Sequence, residues 1–191
     1  MQWILASQSP RRRELFGLFH LPFTVRVADV DEAMNPEKGA FDEVARVSKL
    51  KALAVDRNDD DVVIAADTVV VCDGKILGKP HSPQEAENML ALLSGRDHQV
   101  MTGVTVLHGK DADTFTEVTQ LHFRHLSRKE ISAYVATGEP MDKAGSYGIQ
   151  GGGALFVESM VGDYYNVMGL PVCRLWQCLH RMVPQLMEEK L

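Results

Sequence analysis

The sequence is poor in cysteine and carries no excess of positive charge. Its 191 residues include three cysteines, none of them in a Cys-x-x-Cys pair. An odd number of cysteines, Cys72, Cys173 and Cys178, excludes a fully paired disulfide framework and favours a reducing compartment. Twenty basic and 26 acidic residues give a formal net charge of −6. A chain with this charge is not expected to bind nucleic acid or an anionic membrane surface through its overall field.

Long apolar segments are missing as well. No uninterrupted apolar stretch approaches the ~20 residues of a membrane-spanning helix, and the first residues reach Arg11 without the apolar region of a signal peptide. We therefore expect a soluble, cytoplasmic protein with no membrane partner. Hydrophobic residues make up 45% and charged residues 24%, which is ordinary for a globular chain. The length predicts a single domain over residues 1–191.

Signatures of several enzyme classes are also absent. The chain has no Gly-x-x-x-x-Gly-Lys-Ser/Thr phosphate loop, no Gly-x-Ser-x-Gly turn and no recognisable catalytic cysteine motif. His122 and His125 have a spacing seen in metal sites, but on a strand they would face opposite sides. Metal binding by histidine and covalent catalysis by serine or cysteine are therefore disfavoured.

Strand-like and helix-like segments alternate along the chain, which predicts a mixed α/β fold. The most apolar segment, rich in β-branched residues, predicts a central strand. Asp73-Gly74 predicts a hairpin turn after it, with a return through Lys75 to Gly78. The other strands lack such clear boundaries. The predicted strands are Trp3–Ala6, Phe23–Val27, Val62–Val71, His98–Leu107, Thr114–Phe123 and Ala154–Glu158.

Serine marks the start of three predicted helices. Ser9-Pro10 combines an N-cap residue with proline at the first helical position. Ser82 to Glu85 and Ser127 to Glu130 have the spacing of a capping box. A further helix is predicted over Phe41 to Arg57, and the last helix begins near Leu170-Pro171.

The first helix begins with three arginines, residues 11–13, where the helix dipole is unfavourable for a cation by about 0.3–1 kcal/mol each. A strand, a tight loop and an arginine-rich helix N-terminus together form an anion site. Such a site would use the hydroxyl of Ser7 or Ser9, backbone N–H groups and one or two guanidinium groups to bind a phosphate. The alternative is a solvated basic face paired with Glu14. The local pattern does not decide between them.

Asp67 lies inside the predicted central strand, where a carboxylate is costly unless it is paired or bound to a cation. At a cleft it would be a metal ligand or a general base. The alternative is a structural aspartate that accepts backbone hydrogen bonds. Acidic residues in the loop after the second strand, Asp29, Asp31 and Glu32, could join Asp67 around Mg²⁺, although a solvated acidic loop explains them equally well.

Lysines and a glycine-rich segment complete the candidate site. Lys49, Lys51, Lys79 and Lys143 are individually weak signals, but several cations beside several carboxylates suit a polyphosphate and its metal. Residues 138–153 are rich in glycine, which permits close backbone approach. Gln150 within them offers an amide donor and acceptor suited to a base edge. The alternative is a flexible loop between a helix and a strand.

Taken together, these segments resemble the Maf family of nucleoside triphosphate pyrophosphatases. They occur in the order found in that family and span nearly the whole chain, and the set is specific although no single short motif is decisive. The matching segments are Leu5-Ala6-Ser7-Gln8-Ser9-Pro10-Arg11-Arg12, Lys49-Leu50-Lys51-Ala52, Ala66-Asp67-Thr68, Gly78-Lys79-Pro80, Leu93-Ser94-Gly95-Arg96 and Glu139-Pro140-Met141-Asp142-Lys143-Ala144-Gly145-Ser146-Tyr147-Gly148-Ile149-Gln150-Gly151.

The resemblance implies an elongated mixed sheet flanked by helices, of the ITPase-like kind, with two lobes around a cleft and often a homodimer. It also implies hydrolysis of a nucleoside triphosphate to the monophosphate and pyrophosphate with Mg²⁺ or Mn²⁺. The similar subset of the family acts on dTTP, UTP and some modified pyrimidine nucleotides. Arg11, Thr68 and Gln150 match the positions linked to that preference. A subset acting on 7-methyl-GTP has tryptophan and glutamine where this chain has Arg11 and Thr68.

The resemblance further implies a role for each site residue. Asp67 matches the proton acceptor that activates water, and Glu32 would hold the metal together with Asp67. Thr68 and Gln150 would contact the base or the sugar. The residues implied to bind the substrate or its phosphates are Ser7, Arg11, Arg12, Lys51, Lys79 and Lys143.

Two other functions remain open at this point. The family is associated with septum formation and division arrest, so a regulator that binds nucleotide without hydrolysing it is the main alternative. Carboxylates facing phosphates without a metal would weaken binding, which favours hydrolysis over binding alone. Nucleic-acid binding through residues 11–13 is disfavoured by the net charge of −6.

Overall fold

The computed structural model describes residues 1–35 and 37–187. In this part of the chain, seven strands form one sheet flanked by helices, which confirms the mixed α/β prediction. The strand order is β2-β1-β3-β5-β6-β7, and the short strand β4 pairs with β3. The strands are β1 Trp3–Leu5, β2 Phe23–Val25, β3 Val62–Cys72, β4 Lys75–Leu77, β5 Asp97–His108, β6 Asp111–Phe123 and β7 Val157–Val161.

Helices connect most of the strands. Three short 3₁₀ segments, Glu139–Asp142, Ala144–Ser146 and Gly152–Phe156, follow the fourth helix. None of the helices in the described residues is long and apolar enough to cross a membrane. The helices are α1 Pro10–Gly17, α2 Ala40–Ala54, α3 Pro83–Leu93, α4 Arg128–Ala136, α5 Tyr164–Met168, α6 Val172–Met182 and α7 Pro184–Met187.

The described chain divides into two compact units, each with its own buried apolar cluster. The first unit comprises residues 1–67, 102–117 and the described residues from Gly169 onward, and Ile4, Val63 and Leu107 belong to its core. The second comprises residues 68–101 and 118–168, with Leu90, Leu121 and Phe123 in its core. The predicted single domain, and the cleft implied by the family resemblance, stay predictions.

Parallel pairing of β1 with β3 sets the geometry of the first unit. Leu5 is the register partner of Ile64, and the Ala6 N–H donates to the Ile64 carbonyl at 2.8 Å. The carboxyl ends of parallel strands lie at the same edge of a sheet. The chain that leaves β1 toward α1 therefore runs along the edge where β3 carries Asp67.

The predicted helix starts are confirmed, with one correction. The Ser9 hydroxyl accepts from the Arg12 N–H at the start of α1, and Ser127 and Glu130 form a reciprocal capping box on α4. Ser82 caps α3, but the predicted box there is wrong in its second half. The Glu85 carboxylate accepts from the His81 N–H instead, one residue further back, at 2.7 Å.

The predicted strand at Ala154–Glu158 is wrong in position. Residues Gly152–Phe156 form a 3₁₀ segment, and β7 begins only at Val157, the register partner of Phe123. Consecutive glycines favour a tight turn over an extended strand because they lack side chains to pack. The three cysteines, Cys72, Cys173 and Cys178, are free.

Helix α2 packs on β5 at a glycine. A Cβ added to Gly103 would collide with the carbonyl of Val44 and lie 2.6 Å from the Ala45 nitrogen. A glycine within a strand often marks such a close backbone approach. This contact fixes the distance between the sheet and the helix, and the same helix carries Lys51 in its last turn.

We expect Gly103→Ala to destabilise the protein by about 1–3 kcal/mol, because the clash is with backbone and cannot be relieved by a rotamer change. Urea unfolding followed by circular dichroism measures the loss. Gly17→Ala is the matched control, since a Cβ there has no heavy atom within 4 Å. Equal stability of the two variants would contradict the tight helix-strand contact.

Candidate functional site

The Asp67 carboxylate is buried within β3 and is paired with a lysine. Its side chain is 11% exposed, and its Oδ1 accepts from the Lys51 Nζ at 2.8 Å. Lys51 comes from the last turn of α2. A carboxylate inside an apolar strand is tolerated when it has such a partner. The structure thereby provides the cation that the sequence argument required for Asp67.

The same lysine also binds Glu32. The Lys51 Nζ lies 2.8 Å from Glu32 Oε2, so one ammonium group joins two carboxylates. The Glu32 side chain is 58% exposed, whereas that of Lys51 is 14% exposed. Three residues distant in sequence therefore form a cluster that is buried at Asp67 and open to solvent at Glu32.

The loop that carries Glu32 is tied to α2 by backbone hydrogen bonds to an ion pair within that helix. Arg46 Nη2 donates to Glu43 Oε2 at 2.8 Å and to the Ala33 carbonyl at 2.7 Å. Glu43 Oε2 also accepts from the Asn35 N–H at 2.8 Å. The backbone is thus held on the C-terminal side of Glu32 by two residues one helical turn apart.

These bonds shift the titration of Glu43. The side-chain hydrogen bonds from Arg46 act most strongly, followed by the Asn35 N–H, and together they lower the pKa of the Glu43 carboxyl from 4.5 to about 2. The hydrogen bonds that the ionised Glu43 carboxylate accepts favour its ionisation more strongly than its burial opposes it. Sequence analysis missed this pair because a Glu and an Arg three residues apart on a helix usually form an ordinary surface contact.

Hydrogen bonds to Gly169 and Ser7 hold the Arg12 side chain at the start of α1. Its Nε donates to the Gly169 carbonyl at 2.8 Å, and its Nη1 donates to Ser7 Oγ at 3.3 Å. Ser7 is buried, and its Oγ also accepts from the Ser9 N–H at 3.2 Å. Burial lowers the pKa of the Arg12 guanidinium, and the Asp67 carboxylate opposes this shift. Arginine stays protonated in proteins, so this position is cationic.

Arg11 precedes Arg12 in the first turn of α1 and is half-buried. The first unit therefore brings together six of the predicted residues: two arginines, one serine, one lysine and two carboxylates. The cations and the helix N-terminus suit an anion, and the carboxylates suit a cation or a proton. These six residues are Ser7, Arg11, Arg12, Glu32, Lys51 and Asp67.

The other four predicted residues belong to the second unit. Thr68 follows Asp67 on β3 and is half-buried, while Lys79 and Gln150 are exposed. The Lys143 Nζ donates to the Glu139 carbonyl at 2.6 Å and to Asp142 Oδ1 at 2.7 Å. Lys143 is thus bonded within its own loop, and phosphate binding by it stays a prediction.

The donor chemistry of the first unit fits a divalent metal only in part. Glu32 and Asp67 offer carboxylate oxygens, which Mg²⁺ and Mn²⁺ prefer. Among the described residues, however, no group of three or more His, Cys, Asp or Glu side chains could hold a metal ion. Two carboxylates are sufficient for Mg²⁺ when water and substrate phosphates complete its shell. Metal binding at this pair therefore depends on those other ligands.

Comparison with known proteins covers nearly the whole chain. Residues 2–182 match the family model described as Maf-like protein. The chain is 49% identical over 179 residues to the dTTP/UTP pyrophosphatase of Moorella thermoacetica, covering 92% of each protein. It is 48% identical over 175 residues to the dTTP/UTP pyrophosphatase of Bacillus cytotoxicus, covering 91% of this chain and 92% of that protein.

A more distant likeness is found among solved structures. The Staphylococcus aureus Ham1 protein aligns with 64% of this chain and 72% of its own, with 17% sequence identity and a TM-score of 0.44. A likeness at this level decides neither reaction nor substrate.

The lowered pKa of Glu43 predicts how Glu43→Gln changes stability with pH. The folded state keeps this carboxyl ionised to a lower pH than the unfolded state. Its contribution is therefore complete above the ordinary value of 4.5 and is lost as the pH falls toward 2. We expect the wild type to be more stable than Glu43→Gln at pH 7, with the difference shrinking below pH 4.5.

Urea unfolding midpoints at a series of pH values test this expectation. Glu14→Gln, which alters an exposed glutamate on α1, is the control and should show little difference from the wild type. A Glu43→Gln difference that is the same at pH 3 and pH 7 would show that the lost contact is not ionic.

Proposed function

Because the chain belongs to the Maf-like protein family, we propose that it hydrolyses nucleoside triphosphates to the monophosphate and pyrophosphate, with dTTP and UTP preferred. The membership confirms the resemblance drawn from its motifs. Relatives 48–49% identical over more than nine-tenths of both chains are dTTP/UTP pyrophosphatases, which makes this chain a hydrolase of acid anhydrides. The observation that carries the mechanism is the buried Asp67 carboxylate bonded to Lys51.

In the proposed reaction, Asp67 accepts a proton from the attacking water. The water oxygen forms a bond to the α-phosphorus, the bond from that phosphorus to the oxygen bridging the β-phosphorus breaks, and pyrophosphate leaves. Lys51 bonds to one Asp67 oxygen, Oδ1, and so fixes the orientation of the carboxylate. A base held in this way needs little reorganisation when the proton moves.

The arginine-rich start of α1 is proposed to bind the triphosphate. The guanidinium of Arg12 is fixed by Ser7 and by the Gly169 carbonyl, so little side-chain entropy is lost when a phosphate binds. Arg11 and the backbone N–H groups of the first turn add positive potential. Lys79 is proposed as a further phosphate ligand, and Lys143 could serve if it exchanged Asp142 for a phosphate oxygen.

Glu32 and Asp67 are the residues proposed to hold Mg²⁺ or Mn²⁺. A bound divalent ion would neutralise phosphate charge and polarise the phosphoryl group. Lys51 bonds both carboxylates, so it would have to share them with the ion or yield one of them. The protein's own contribution is to keep two carboxylates side by side against their mutual repulsion.

Selection of the base is proposed to depend on Arg11, Thr68 and Gln150. When a site is built to hydrogen-bond one base, its polar groups stay unpaired if a different base binds. The lost hydrogen bonds lower the affinity for the wrong nucleotide. The exposed Gln150 amide has both the donor and the acceptor that this requires. We also propose that the protein accepts modified pyrimidine nucleotides, that it is cytoplasmic and that it forms a homodimer.

We expect Asp67→Asn to fold but to lose at least ~10³-fold in turnover, because the amide cannot accept the proton. Pyrophosphate release from dTTP measures the effect, and circular dichroism checks the fold. Asp60→Asn, an exposed aspartate near the start of β3, is the matched control and should keep full turnover. Near-normal turnover in Asp67→Asn would refute the assignment of the base.

A panel of nucleoside triphosphates tests the reaction and the substrate class together. Each nucleotide is incubated with and without Mg²⁺ or Mn²⁺, and pyrophosphate is resolved from orthophosphate. We expect metal-dependent pyrophosphate, formed fastest from dTTP and UTP. Orthophosphate would mean attack at the terminal phosphate. Tight nucleotide binding with no product would instead favour the non-catalytic regulator of septum formation.

A further inference from the structure

Gln150 lies at the tip of a closed turn in the second unit. The Gly151 N–H donates to the Gly148 carbonyl at 3.2 Å, which places Gln150 at the third position of a four-residue turn. The Gln150 side chain is exposed. The point from which this side chain leaves the backbone is therefore set by how firmly the ends of the turn are held.

The backbone on the two sides of Gln150 is bonded to two side chains that contact each other, Tyr134 of α4 and Glu139 just beyond it. The Gly148 N–H donates to the Tyr134 hydroxyl oxygen at 3.0 Å. The Gly152 N–H donates to Glu139 Oε2, also at 3.0 Å. The Tyr134 hydroxyl in turn donates to Glu139 Oε1 at 2.9 Å. The Tyr134–Glu139 pair therefore closes a continuous hydrogen-bonded chain around the turn.

The glycines of this segment make room for the pair. A Cβ on Gly151 would collide with the Glu139 carboxylate. A Cβ on Gly153 would lie 3.1 Å from the Tyr134 hydroxyl oxygen and 2.7 Å from the Gly148 carbonyl oxygen. The glycine-rich sequence is thus explained by close contact with two side chains rather than by a need for flexibility.

Tyr134 is well suited to hold a turn in place. Its ring is buried and meets the ring of Phe156 edge to face, with centroids 4.9 Å apart. Burial raises the pKa of the Tyr134 phenol, so it remains a hydrogen-bond donor at physiological pH. A rigid aromatic side chain with one fixed hydroxyl positions the backbone more firmly than a solvated side chain would.

We infer that Tyr134 and Glu139 are positioning residues for base selection, acting through Gln150. This inference rests on the proposed function, since it assigns them to the same nucleotide site. An amide discriminates between base edges only when the backbone presents it from a fixed place. The Tyr134–Glu139 pair holds the backbone on both sides of Gln150 and so fixes that place.

The first test is Tyr134→Phe, which keeps the ring but removes the hydroxyl that bonds Gly148 and Glu139. The ratio of kcat/KM for dTTP to that for dCTP, which differs at the base edge, reports selectivity. We expect this ratio to fall about tenfold, because a tenfold change corresponds to the free energy of about one hydrogen bond. Tyr164→Phe, an exposed tyrosine in the same unit, is the control and should leave the ratio unchanged.

A double-mutant cycle separates positioning from a general loss of structure. If Tyr134 acts through Gln150, then Tyr134→Phe should not lower the dTTP-to-dCTP ratio further in a Gln150→Ala background. Glu139→Gln keeps an oxygen that can accept from Gly152 and should lose less selectivity than Glu139→Ala. Equal loss of activity toward both nucleotides, with the ratio intact, would overturn the inference.

Amide hydrogen exchange keeps this inference distinct from the proposed function. We expect the Gly148 and Gly152 amides to exchange faster in Tyr134→Phe and Glu139→Ala than in the wild type. Unchanged exchange would show that the pair does not hold the turn. A wild type that forms no pyrophosphate from any nucleotide would instead refute the proposed function, and the role in base selection with it.

Discussion

The ammonium group of Lys51 is the interaction on which the candidate site depends. Asp67 is buried in β3 and Glu32 reaches it from a loop, so without a cation two carboxylates would face each other with one of them desolvated. A lysine between them offsets both costs and fixes their separation. In the proposed reaction, ionised carboxylates have to stand beside a triphosphate. A shared cation favours their ionised form and offsets the repulsion between them.

The position of Lys51 depends on the position of α2, the helix that carries it. Gly103 lets α2 approach β5 closely enough for backbone contact with Val44. The same helix presents Glu43 and Arg46, which hold the loop beyond Glu32. One helix thus fixes the cation directly and one of its carboxylate partners indirectly. The backbone contact of α2 with Gly103 and the Glu43–Arg46 ion pair both fix the geometry of the site.

Much of this arrangement is visible in the sequence, but its supporting contacts are not. The β1–α1 junction, the strand around Asp67 and most helix caps follow from local patterns, since caps and periodicity depend on neighbouring residues. The start of β7 was misplaced because strand pairing depends on a distant partner, here Phe123. The bonds from the Asn35 N–H to Glu43 and from the Gly148 N–H to Tyr134 are not visible in the sequence for a similar reason, since only the folded chain brings these backbone groups to the side chains.

The division of the chain into units has a consequence for biosynthesis. The first unit is assembled from residues 1–67, residues 102–117 and the described residues from Gly169 onward, and Arg12 is bonded to the Gly169 carbonyl itself. A nascent chain that has not yet reached α6 lacks the buried Leu175 and Leu179 of that unit. The second unit draws on residues 68–168 alone and can order earlier during translation. Arg12 thus acquires its final conformation only after Gly169 has been synthesised.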